Sequence, residues 1–134
     1  MTKEQKLIDK ILETAQIVAT GPEAEEYGLD LSEKSIKRLD RMIKVFWGES
    51  GPSEEGRDHI IWAFGSYIAA IVDKHFAGSW EESEELGGIA FNSKTSSVRF
   101  SPYNWVAKRF DLGDKLAYKY KVIANLMRPD RTTP

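Results

Sequence analysis

Residues 57–80, RDHIIWAFGSYIAAIVDKHFAGSW, form the longest run of this chain dense in apolar residues, and they lie near its middle. On a helical wheel of about 100° per residue, Ile60, Phe64, Tyr67 and Ile71 cluster on one side. Ile61, Ile68 and Val72 widen that apolar arc. An arc so wide exceeds what one neighbour can cover, so the stretch predicts a central helix packed from more than one direction. Gly65 lies inside it, with Ala63, Ala69 and Ala70 on the flanks. A glycine within a helix costs about 1 kcal/mol relative to alanine, which predicts close approach by another element at that point. Gly78 is expected just past the helix end, where glycine commonly sits.

The same wheel separates His59 and His75, the only histidines in the chain. His75 projects into the apolar arc near Phe64 and Ile68. His59 falls on the opposite side with Ser66, Asp73 and, at the border, Trp62. Their spacing along one helix corresponds to roughly 24 Å, so they cannot share a metal ion or a catalytic centre within one subunit. His75 is expected as a core histidine bonded to a backbone carbonyl or a carboxylate, and His59 as a solvated residue near a helix start.

A chain of 134 residues supports one domain with a real core. The expected domain covers residues 1–127, with 128–134 as a disordered tail. Hydrophobic residues at 41% and charged residues at 30% suit an ordinary globular protein. The apolar centre is broken by Ser66, Asp73 and Lys74, so no membrane partner is expected. MTKEQKLIDK has no apolar signal core, which argues for a cytoplasmic location. The absence of cysteine rules out disulfides, thiol catalysis and cysteine-ligated zinc. The net charge of −2 hides an asymmetry: residues 1–31 carry three lysines against seven acids, and residues 102–134 seven bases against three acids. Such a chain can pair its own ends, steer a partner or form a head-to-tail homodimer. Self-pairing is the simplest of these.

Residues 3–20 read as a first helix, with Leu7, Ile8, Ile11, Leu12, Ala15 and Val18 at helical spacing. Gly21-Pro22 stops it, and one further turn is expected before Tyr27-Gly28. Asp30-Leu31-Ser32-Glu33 reads as a capping box opening a helix to about Trp47. Its apolar positions are Ile36, Leu39, Met42, Ile43 and Phe46, with Lys34, Lys37, Arg38, Arg41 and Lys44 on the opposite side. Residues 48–53 are loop, and Ser53 is a candidate cap for the central helix. The acidic run 81–85 reads as an exposed connection and Leu86-Gly87-Gly88 as a turn. Ile89-Ala90-Phe91 and Val98-Arg99-Phe100 then alternate as two strands of a hairpin, and Trp80 can supply a third. Ser101-Pro102 opens a helix through Phe110. A last helix runs from Asp114 to about Met127, with Leu116, Tyr120, Ile123 and Met127 as its stripe. The expected fold is α+β: about four main helices around a buried central one, with a small antiparallel hairpin or three-stranded sheet before the C-terminal helices.

Gly65-Ser66-Tyr67-Ile68, then His75-Phe76-Ala77-Gly78-Ser79-Trp80, the hairpin, Ser101-Pro102-Tyr103 and the break at Leu112-Gly113-Asp114 together resemble a family. It is one of small stand-alone bacterial proteins built on a domain of unknown function. The resemblance spans residues 57–127. A Gly-Glu pair often follows the G-x-Y element in that pattern, and here those positions read Ala69-Ala70. Any chemistry resting on that carboxylate is therefore absent from this chain. The resemblance implies a fold and no activity.

Catalytic motifs are scarce. There is no phosphate-cradling glycine loop, HExxH, EF-hand loop or nucleophile elbow. The acids of 81–85 lack the spacing of a calcium loop, and Glu55 with His59 makes at most half a metal site or a helix ion pair. No cofactor and no metal is expected, and a binding protein is favoured over an enzyme. Of the four tryptophans, Trp80 and Trp105 are expected in the core. Trp47 and Trp62, at the edges of their helical stripes, are candidates for a contact surface. Three functions follow. The first is a protein–protein interaction or regulatory module of adaptor or immunity type, acting through Trp47, Trp62 and the acidic 81–85 segment. The second is a small-ligand binder or enzyme with a pocket between the central helix and the hairpin, using Tyr67 and His75. The third is nucleic-acid binding by the 34–44 basic stripe and the basic C-terminal helix. The acidic overall balance argues against it.

Overall fold

The central stretch forms α4 (Arg57–His75), and its residues 64–72 are all buried. The computed structural model describes residues 2–48, 51–86, 88–94 and 96–128. Around α4 stand α1 (Lys3–Thr20), α2 (Pro22–Tyr27), α3 (Ser35–Trp47), α5 (Pro102–Leu112) and α6 (Leu116–Leu126). Strands β1 (Gly78–Ser83), β2 (Gly88–Ser93) and β3 (Arg99–Phe100) form one antiparallel sheet in that order, inserted before the last two helices. The fold is therefore α+β. Buried residues from all nine elements join one core. Of the tail expected at 128–134, Arg128 is described and donates to Asn125 Oδ1; residues 129–134 and the turn residue Gly87 lie outside the described residues.

α4 packs chiefly against α1 and α5, which explains its breadth of apolar surface. A Cβ at Gly65 would run into the Tyr103 ring of α5, so the glycine sets the α4–α5 approach, as its position in the sequence implies. Ser66, expected on a polar side, is fully buried, and its Oγ lies 2.8 Å from the Tyr103 hydroxyl. A hydroxyl can enter this core because another hydroxyl meets it.

α1 and the cap of α5 follow their local signals. Thr2 Oγ1 accepts from Gln5 N at 3.0 Å, and Ser101 Oγ accepts from Asn104 N with Pro102 in the first turn. Two other boundaries differ from the sequence reading. Gly78 does not end α4: Phe76 takes the C-cap in extended conformation, and Gly78 opens β1 opposite Ser93. A Cβ there would collide with the Asn92 carbonyl and the Phe91 ring. Ser53 does not cap α4 either; Gly56 holds that position.

Glu81 and Glu82 belong to β1 rather than to a free connection. Trp80 is buried while both glutamates are exposed; alternation sets Glu81 on the face opposite Trp80, and Arg99 Nη2 reaches across the sheet to Glu81 Oε1 at 2.7 Å. That hydrogen bond holds the Glu81 carboxyl below its ordinary pKa. Inward, Trp80 faces Phe91 across one ladder and Phe91 faces Phe100 across the next. Phe100 then stacks on Trp105 of α5 at 4.8 Å between centroids. This aromatic row fixes the sheet to the helices.

Candidate functional site

The α2–α3 connection decides where the basic stripe ends up. Asp30 does not cap α3 as a capping box would; its carboxylate accepts from Ser32 N at 3.1 Å and from Ser32 Oγ. The Ser32 hydroxyl is the main cause of an Asp30 pKa below the usual carboxylate value. Ser32 Oγ accepts in turn from Ser35 N at 3.2 Å, and α3 starts only there. Glu33 is thereby released toward the helix that packs alongside, where it accepts from the Tyr120 hydroxyl of α6.

α3 and α6 run antiparallel. Glu33 beside the start of α3 meets Tyr120, while Asp40 in mid-helix meets the first turn of α6. Asp40 Oδ1 accepts from Leu116 N and Oδ2 from Ala117 N, both at 2.9 Å. α6 has no cap of its own, since Lys115 holds the N-cap position without a side-chain bond. A carboxylate from a distant helix therefore satisfies its first donors and faces the positive end of its dipole. Arg109, fully buried in α5, places Nε 3.5 Å from Asp40. Burial raises the Asp40 pKa nonetheless, against the pull of the Ala117 and Leu116 amides and of Arg109.

Between these helices lies an open groove of about 1120 Å³. Lys34, Lys37, Arg38 and Arg41 line it from the α3 side, Lys121 and Arg128 from the α6 side. Glu26 and Glu33 are its two acids. Tyr27, Ile36, Ala117, Tyr120 and Ala124 supply its apolar part. A hollow of about 620 Å³ adjoins it, sharing Lys37, Arg41, Ala117 and Lys121 and adding Lys44, Lys115 and Tyr118. Arg38 is engaged, donating to Gly28 O at 3.0 Å and standing 3.8 Å from Asp30. The side chains of Lys34, Lys37, Arg41 and Lys121 make no hydrogen bond or ion pair among the described residues.

The residues singled out from sequence fall elsewhere. Trp47 is half-buried among Phe46, Phe64 and Phe110. Trp62 is half-buried too, stacked on Tyr103 at 5.4 Å, with its indole N–H donating to Thr14 Oγ1 at 3.0 Å. Both pack against the core, with different partners. Tyr67 is fully buried. Its hydroxyl accepts from Leu31 N at 2.9 Å and lies 2.6 Å from Ser35 Oγ, and burial raises its pKa. Tyr67 thus holds the connection at Leu31, a non-glycine residue at φ 63°. The Tyr67 hydroxyl is taken up by these two partners within the core.

His75 lies two helical turns further on, roughly 12 Å along the axis, and is not gathered with Tyr67 into a site. Its side chain is 21% exposed, and Nδ1 stands 3.9 Å from Glu33 Oε1. That is an ion-pair distance when the ring is protonated and too long for a hydrogen bond. It corrects the expectation of an enclosed, bonded histidine. No group of three or more histidine, aspartate or glutamate side chains is placed to hold a metal among the described residues. No helix among them is long and apolar enough to cross a membrane. No protein-family model, curated protein or solved structure matches the chain.

Proposed function

We propose that this protein is a cytoplasmic interaction module of adaptor or immunity type, as the resemblance to small bacterial proteins allows, and that it binds an acidic partner protein in the α3–α6 groove. One observation carries the reading. In a chain with 21 acids against 19 bases, the fold gathers Lys34, Lys37, Arg41 and Lys121 along one groove with no ion-pair partner for their side chains among the described residues, and bases outnumber acids in its lining. An excess of cations in a concave surface attracts and orients a negative partner. The apolar part at Tyr27, Ala117, Tyr120 and Ala124 favours protein side chains over a phosphate backbone.

The test is affinity capture of the tagged protein from source-cell lysate, beside a Lys37→Glu/Arg41→Glu variant. Both side chains are exposed, so stability should stay within about 0.5 kcal/mol for each change. An acidic protein retained by the wild type and reduced at least tenfold by the double reversal supports the reading. A retained species that nuclease releases replaces it with nucleic-acid binding. Equal retention by both forms removes the groove from the argument.

A further inference from the structure

α6 shows a second surface beside the groove. Its inward side is Leu116, Tyr120, Ala124 and Met127, all buried. On the outward side, Tyr118, Val122 and Leu126 follow at i, i+4 and i+8, and they are 68%, 41% and 57% exposed. Residues at that spacing form one stripe on a helix, here about 12 Å long. Lys115 and Lys119 border it on one side and Lys121 on the other. Tyr118 and Lys121 also line the hollow that continues into the groove, so stripe and groove are contiguous. Lys119 is the partly engaged member, 3.5 Å from Asp114.

An apolar seam bordered by charged side chains is a pattern by which one helix receives another. The charges select the occupant. A second copy of this chain, laid seam to seam, would bring the bordering lysines of one copy near those of the other, which is unfavourable. A helix with apolar residues at the same spacing and carboxylates beside them meets both the seam and its borders. We infer that the partner presents an acidic amphipathic helix that lies along α6, its apolar side on Tyr118, Val122 and Leu126 and its carboxylates on Lys115, Lys119 and Lys121. This rests on the reading of the groove as a site for an acidic protein, and it specifies the element that docks.

The test uses the full chain and a labelled synthetic helix with leucine at its a and d positions and glutamate at e and g. A peptide of the same composition in scrambled order is the comparison, and fluorescence anisotropy reads both. The patterned peptide should bind at least tenfold more tightly than the scrambled one. Val122→Ser and Leu126→Ser should each weaken it at least tenfold while the melting temperature holds. Equal binding of both peptides, or of neither, overturns the inference. Loss with Lys37→Glu/Arg41→Glu but not with the α6 variants also overturns it, and leaves the groove reading standing. A wild-type dimer in sedimentation that Val122→Ser dissociates would assign the seam to a second copy. Retention by phosphatidylserine vesicles that Val122→Ser abolishes would assign it to a lipid surface. Either result overturns the inference.

Discussion

Replacing Asp40 by alanine removes two acceptors and a counter-ion from one buried point. The Leu116 amide loses its 2.9 Å bond in a buried setting, and leaving such a donor unsatisfied costs about 1–3 kcal/mol. Ala117 N–H is half-buried, so water recovers part of its loss. Arg109 keeps its charge at 0% exposure and loses the carboxylate 3.5 Å away; removing one member of a buried pair costs about 3–5 kcal/mol. These losses share one carboxylate and overlap rather than add. The expected destabilisation is about 4 kcal/mol. Against a total of roughly 0.05–0.15 kcal/mol per residue, that is a large share. For a urea m-value of about 2 kcal/mol/M, the unfolding midpoint should fall by about 2 M. Asp40→Asn retains one acceptor oxygen and loses the charge, so its midpoint should fall by about half as much. Hydrogen exchange should show α6 loosening before α4. Asp58→Ala, an exposed first-turn acid of α4, is the control and should change stability by about 0.5 kcal/mol at most. An Asp40→Ala midpoint within about 0.5 M of wild type would refute the argument that this carboxylate anchors α6.

The raised Asp40 pKa predicts a pH dependence of defined sign. A carboxyl that holds its proton more tightly in the folded state adds stability below its ordinary value of 3.8. That contribution is lost as pH rises through the folded value. The stability advantage of wild type over Asp40→Asn should therefore shrink as pH is raised from that value. Urea midpoints across the acid range measure it, and an advantage that grows with pH contradicts the assignment. Gly65→Leu should cost about 3 kcal/mol, because its side chain enters the Tyr103 ring and overpacks the α4–α5 contact. An unchanged melting curve would deny that contact. Trp62→Ala should cost about 3 kcal/mol through its lost stacking on Tyr103 and bond to Thr14. Trp62→Phe, which keeps a ring, should lose about 1 kcal/mol. A Trp62→Ala protein that melts like wild type but loses its partner would return this residue to the contact surface.

Signals that act over a few residues were readable in the chain. The periodicity of α1, the Ser101-Pro102 start of α5 and the helical glycine at Gly65 each state their local cause. What escaped involved competition or distance. Asp30 and Glu33 have the spacing of a capping box, but Ser32 is a nearer donor for one and Tyr120 a better one for the other. Gly78 has the look of a helix stop, while its cause is the strand packed against it. The cap of α6 comes from Asp40, 76 positions earlier in the chain, and no local pattern announces it. The five bases of the 34–44 stripe were visible. Their meaning was not, because a groove needs a second wall, and α6 supplies it through contacts that only the packed structure defines. Tyr67 and His75 looked like a pair on one helix. Their chemistry is set by Ser35 and Leu31 in one case and Glu33 in the other.

Sheet order leaves β1 on the outside, and the Trp80 amide that points away from β2 is taken by Glu4 Oε2 of α1 at 2.8 Å. The first helix is thereby a guard over an exposed strand. An edge strand with open amides is a template for another chain, and proteins commonly blunt it with cover or charge. Cutting away or lifting α1 uncovers residues 78–83 with Trp80 among them, so aggregation of a shortened or partly unfolded chain would start there. The glutamates at 81, 82, 84 and 85 then stand as a second barrier, a cluster of like charge along that edge.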